Sequence, residues 1–246
     1  MYGVNTVPAP KFSTEEQQRK IIDAAVECIL ASSVTSFTMA KVASKSGLSM
    51  GSVYKHFQCK EDIVMALAFE SFSHITSVFQ QILDLELSTP EKIIAISLLS
   101  PEKLQRFPFD SELESFATND AVIRKATPRW TQKMIDAGAG CEAMFKARLS
   151  DGIKADELVQ SVNVDEFIEE ITVSSWAMMV GHERVLRIQQ SKQIIEGTAT
   201  LSAPLDVNEP LIRSMIRLIN SYPWQQPLTL QTVNRIVSLL TELNFR

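Results

Sequence analysis

Lys41, Lys45, Lys55, Lys60 and His56 lie in a stretch, Cys28 to Lys60, that holds no Asp or Glu over 33 residues, although acidic residues outnumber Lys plus Arg by 29 to 24 in the whole chain. The chemistry that suits such a stretch is the binding of a polyanion, because a carboxylate facing a phosphate backbone repels it and an ammonium group attracts it. Inside it, TMAKVASKSGLSMGSVYKHF (Thr38 to Phe57) sets hydroxyl residues, lysines and aromatics at the spacing of two short helices around a tight turn. The net charge of −5 argues the other way, yet residues 1 to 70 hold seven basic and seven acidic residues, so the acidic excess belongs to the remainder. It is the local footprint that decides polyanion binding.

Other chemistries find little support. The three histidines, at 56, 74 and 182, form no metal-ligand spacing, and no nucleophile elbow, P-loop or dinucleotide fingerprint occurs, so no enzyme, metal or cofactor is expected. Cys28, Cys59 and Cys141 are odd in number and far apart, which favours reduced thiols; Cys28 and Cys141 read as core fillers. MYGVNTVPAPKF lacks a basic start followed by an apolar core, and no run approaches eighteen apolar residues, so a soluble cytoplasmic protein without a membrane partner is expected. Gly138-Ala139-Gly140 sits in a helical pattern and reads as a close helix contact.

The elements that must position these residues are helices, because apolar spacing is helical almost throughout and the chain reads as all-α. Ser13 with Glu16 makes a capping box for a helix over about 14 to 32. Thr38 caps a second helix, Gly47 supplies the turn, Ser49 caps a third, and Val42, Ala43, Val53 and Phe57 form a small core. A long helix follows from Lys60. Prolines fall at positions 8 to 10 or from 90 onward, and Pro90, Pro101 and Pro128 each follow Ser or Thr as at helix starts. Further helices are placed near 90 to 98, 119 to 125, 128 to 150, 163 to 190, 206 to 222 and 229 to 244, with links over 100 to 117, 191 to 205 and 223 to 228.

A helix-turn-helix inserts the start of its second helix into the major groove. Met50, Gly51, Ser52 and Lys55 are therefore the base-facing set: Lys55 for guanine, Ser52 for several bases, Met50 for a thymine methyl, Gly51 for close approach. Thr38, Lys41, Ser49, Tyr54, His56 and Lys60 are placed on the phosphate backbone.

With Thr38, Ala43-Ser44-Lys45-Ser46-Gly47, Leu48, Ser49, Tyr54-Lys55-His56-Phe57 and Lys60-Glu61 in this order, residues 13 to 70 resemble the TetR-type transcriptional regulators. Two positions depart from that pattern: Ala40 replaces an Arg of many relatives, and Cys59 replaces a Ser, Asn or Gly. The resemblance implies an N-terminal three-helix DNA-binding domain over 1–60, with the helix-turn-helix at 38–57, joined by a long helix to a helical effector-binding and dimerisation domain over 61–246. It further implies a homodimeric repressor that binds a palindromic operator and is released by a small effector. Rival readings are an activator or a protein-recruiting regulator, and a ligand-binding module without operator binding.

In 163 to 190, Val164, Ile168, Ile171, Ser175, Met178, His182 and Val185 recur every three or four residues, with small Ser174, Ala177 and Gly181 nearby, which reads as a dimer helix. For a largely apolar effector, Phe107, Phe109, Phe116, Trp130, Met134, Met144, Trp176 and Met179 offer walls, and Glu170 or His182 a polar anchor.

Overall fold

The computed structural model describes residues 12–154, 157–159, 163–196 and 203–246. The expectation of no leader rests on residues outside this set, as does the part of the 191 to 205 link over 197–202. Among the described residues the chain is helical: α1 (Thr14–Leu30), α2 (Met39–Ser46), α3 (Met50–His56), α4 (Lys60–Leu83), α5 (Thr89–Ser97), α6 (Pro101–Leu104), α7 (Asp110–Ala117), α8 (Asp120–Ile123), α9 (Pro128–Lys154), α10 (Val164–Gln189), α11 (Ser191–Ile195), α12 (Pro210–Ile219) and α13 (Leu230–Glu242). Three short helices, α6, α7 and α11, occupy stretches that the sequence pattern reads as links. Asp110 explains α7: its Oδ2 accepts the Phe107 N–H at 3.1 Å and its Oδ1 the Ser71 hydroxyl at 2.6 Å, contacts that apolar periodicity does not encode.

The chain packs as two compact units. The first runs to Ser71 and takes in Phe107–Asp136; the second comprises Phe72–Arg106 and Ala137–Arg246. Helices α4 and α9 contribute to both. The segment 107–136, which the sequence reading places in the effector half, thus belongs to the unit that contains α1 to α3.

Local signals set the first unit's helix ends. Ser13 Oγ accepts the Glu16 N–H at 3.1 Å while Glu16 Oε2 accepts the Ser13 N–H at 2.7 Å, closing the capping box. Thr38 Oγ1 caps Lys41 N, Ser49 Oγ caps Ser52 N, and Gly47 ends α2 at φ 68°, a conformation that costs an L side chain. Ile21, Ala25, Ile29, Val34, Phe37, Val42, Val53, Phe57 and Ile63 are buried and form its core. Burying each large apolar side chain contributes about 1.5–3 kcal/mol against the entropy of ordering the chain. Ile63 through Ala68 are all buried, which accounts for an α4 long and apolar enough by composition to cross a bilayer.

The second unit has its own core, joining Val78 and Ile82 of α4 to Ile93, Ile94 and Leu98 of α5, Leu149 of α9, Phe167 and Ile171 of α10, Ile212 and Met215 of α12, and Val233, Ile236 and Leu240 of α13. Both Glu157 carboxylate oxygens lie 3.1 Å from the Thr89 N–H at the start of α5, where a negative charge is favoured. A Cβ on Gly152 would collide with the Thr89 side chain, so this glycine is fixed by packing. Gly138 and Gly140 have open space at the Cβ position, so no helix of the same chain makes the expected close contact there.

Candidate nucleic-acid interface

The start of α3 presents its side chains outward. Met50, Gly51, Tyr54 and Lys55 are exposed, and Ser52 is half-buried with its Oγ 3.0 Å from Ser49 Oγ. A Cβ on Gly51 would meet only Ser49 Oγ, at 3.9 Å, so nothing inside the fold requires glycine there. A helical glycine costs about 1 kcal/mol relative to alanine. An exposed one with no internal reason fits a surface that another molecule must approach closely. Opposite this face, Val53 and Phe57 anchor α3 in the core.

Thr38, Lys41 and Ser49 lie at the exposed starts of α2 and α3, where the backbone N–H groups and caps suit phosphate oxygens. Lys45 is turned aside, its ammonium 2.8 Å from Glu27. Two residues placed on phosphate are engaged by partners in the same unit instead. His56 is 5% exposed, with Nε2 3.2 Å from Gln17 Oε1; burial, then Lys55 and Arg129, hold its pKa below the usual histidine value. Lys60 donates to the Thr35 carbonyl, lies 4.8 Å from the Phe37 ring and 5.8 Å from the Phe116 ring, and burial lowers its pKa. Both groups tie the helix-turn-helix to neighbouring segments, His56 to α1 and Lys60 to the loop before α2. Burial also pushes the Cys59 thiol up, the opposite of what a reactive thiolate needs.

The apolar residues assigned to the effector separate between the units. Trp130 stacks on Phe57 at 4.8 Å between centroids and donates from Nε1 to the His56 carbonyl at 3.2 Å. Phe107 stacks on Phe109 at 5.3 Å, Phe116 faces Lys60, and Met134 is buried; these five serve the first unit's interior. In the second unit, Met144, Met179 and His182 are half-buried and Glu170 bonds to Tyr222, whose pKa is raised by burial and by that carboxylate. Trp176 is 59% exposed, on the side of α10 away from buried Ile171 and Ser175. Ile168, Ile171 and Ser175, read as a dimer stripe, are buried within the unit, whereas Val173, Trp176 and Val180 form the outward one.

Residues 21–67, which span the capped helices just described, match the family of bacterial regulatory proteins known as the tetR family. Over 93 residues the chain is 30% identical to the uncharacterized HTH-type transcriptional regulator TtgW of Pseudomonas putida, covering 37% of this chain and 69% of that one. The chain belongs to the TetR family. It is a DNA-binding transcriptional regulator of the helix-turn-helix type. It is also 24% identical over 165 residues to the fatty acid metabolism regulator protein of Bacillus subtilis, covering 65% of this chain and 82% of that protein. A protein of unknown function from Rhodococcus sp. RHA1 shares the fold, with a TM-score of 0.53 at 14% identity over 88% of this chain and 96% of that one.

A second acid-free basic stretch, 121–135, was not singled out from the sequence. The stretch AVIRKATPRWTQKMI carries Arg124, Lys125, Arg129 and Lys133 and no acid, the same signal that marks Cys28 to Lys60.

Proposed function

We propose that this regulator is a cytoplasmic, homodimeric repressor that binds a palindromic operator through Met50, Gly51, Ser52 and Lys55 and leaves it when an amphipathic effector occupies the second unit. The observation that carries the DNA reading is the outward N-terminal half of α3, with an exposed glycine that the fold itself does not need. Lys55 supplies two or more donors to guanine O6 and N7, and Met50 an apolar contact to a thymine methyl. Thr38, Lys41, Ser49 and Tyr54 hold the backbone and set register.

Two-fold pairing is supported by the outer face of α10, where Val173, Trp176 and Val180 are 46%, 59% and 38% exposed. Apolar residues at this spacing make a stripe that water does not favour and a second copy covers. Effector binding is supported by the inner face of the same helix. Thr172 Oγ1, Ser175 Oγ and His182 Nε2 are buried and lack a hydrogen-bond partner, a cost that a ligand with an acceptor-rich head would relieve. Met178 and Met179, packed against the core beside them, are adaptable walls for an apolar chain. An effector that binds the released state more tightly shifts the population away from the operator-bound one.

Selection from a pool of random duplexes tests the reading. An enriched palindrome, with half-sites about 34–36 Å apart or a multiple of that, is expected. No enrichment, or an asymmetric site bound by a single chain, rejects it. The relative named for fatty acid metabolism makes fatty acids the first effectors to test for release of the selected duplex.

A further inference from the structure

The helix-turn-helix has few cations left for phosphate. His56 and Lys60 are engaged by Gln17 and the Thr35 carbonyl, and Lys45 is paired with Glu27, so Lys41 and Lys55 are the exposed cations of the stretch not held by these contacts. Affinity for duplex DNA at physiological salt rests on neutralising several phosphates, so additional cations must be sought beside α3.

The α8–α9 connection supplies them within the same unit. Three contacts fix it to the residues that close α3 and open α4: the Lys125 carbonyl lies 3.4 Å from Cys59 Sγ, the Thr127 N–H 2.7 Å from Asp62 Oδ1, and Trp130 Nε1 3.2 Å from the His56 carbonyl. Arg124, Lys125, Arg129 and Lys133 are exposed along this connection, and residues 121–135 contain no acid. Arg124 is held loosely by Asp120 at 3.6 Å, and Lys133 lies 4.8 Å from the Trp130 ring and 5.9 Å from that of Phe69. Arg129 packs its guanidinium 5.3 Å from the Trp130 ring, which positions the head group without satisfying its donors. Lys125 adjoins the Cys59 to Asp62 turn through its own carbonyl.

We propose that Lys125 and Arg129 form a second phosphate-binding patch that grips the DNA backbone beside the groove entered by α3. The proposal rests on operator binding through α3. It assigns a DNA-contacting role to a segment outside the matched helix-turn-helix, and it makes Trp130 the residue that positions the patch. A patch of this kind adds affinity and orientation without reading sequence.

The test uses the full-length chain and a duplex enriched by the wild type. Dissociation constants are measured between 50 and 300 mM KCl for wild type, K125A/R129A and the charge-retaining K125R/R129K. Removing one phosphate contact lowers the slope of log affinity against log salt by about 0.9, so the alanine pair should reduce it by about 3–4 for a two-fold dimer. The preference for the selected duplex over a scrambled one should be unchanged, and K125R/R129K should keep the wild-type slope. Wild-type affinity and slope in K125A/R129A overturn the proposal, as does weaker binding with an unchanged slope. Failure of the wild type to enrich any duplex counts against operator binding instead. Equal melting temperatures for the three proteins exclude an effect of unfolding.

Discussion

Asp62 Oδ1 accepts the Thr127 N–H at 2.7 Å, and its other oxygen accepts the Gln58 N–H at 2.8 Å. One buried carboxylate, 1% exposed, thereby joins the turn after α3 to the start of α9. Hydrogen bonds to an ionised acceptor are the stronger kind, and leaving two backbone donors unpaired is costly. Asp62→Asn keeps the shape but offers only one acceptor oxygen, and its amide group would face a donor. It is expected to lower stability by about 1–3 kcal/mol. Thermal unfolding measures this; an unchanged melting temperature would show that the joint contributes nothing to the fold.

His56 gives a pH dependence whose sign follows from its environment. Burial and the neighbouring Lys55 and Arg129 disfavour the imidazolium in the folded chain, so its folded pKa lies below the unfolded value of about 6.5. The unfolded state then binds more protons, and stability falls as pH drops below about 6.5 toward the folded pKa. Above that window the residue has no effect on the pH profile. His56→Gln removes the titration, so the fall in melting temperature between pH 7 and pH 5.5 should be smaller in the variant. Parallel profiles for the two proteins would contradict the assignment.

Trp176 and Val180 test the pairing face. Buried tryptophans at interfaces cost about 2 kcal/mol or more on truncation, and a charge placed in an apolar interface costs further. W176E should raise the dimer dissociation constant at least about 30-fold while the helical signal in circular dichroism is kept. Sedimentation over a concentration series reads this. A dimer as tight as wild type would move the interface elsewhere.

Local structure was legible where a cause and its effect lie within one turn. Ser13 with Glu16, Thr38, Gly47 and Ser49 act on neighbours no more than three or four residues away, and the helix ends follow from them. The fate of His56 and Lys60 was not legible, because their partners Gln17 and Thr35 are 39 and 25 residues distant and leave no periodic trace. Trp130 is the extreme case, meeting His56 across 74 residues and leaving the expected effector wall for the first unit's core. On α10 the difficulty is different. Apolar residues occupy both the face of Ile168 and Ile171 and the face of Val173, Trp176 and Val180, so a helical period alone could not say which lies inward.

Thr172 and Ser175 offer the last test, because a site built for a ligand and a site built for stability respond oppositely. Their hydroxyls are buried without partners in the free chain. A buried, unsatisfied hydroxyl costs about 1–3 kcal/mol, so Thr172→Val, which preserves shape, and Ser175→Ala should each stabilise the free protein. For a chain of this size about 1 kcal/mol corresponds to roughly 2–4 °C in melting temperature. The same variants should lose any melting-temperature increase that a fatty acid effector gives the wild type, since binding to the folded state alone stabilises it. A lower melting temperature in the free variants would mean that the hydroxyls serve the fold. An effector response equal to wild type would remove them from the binding site.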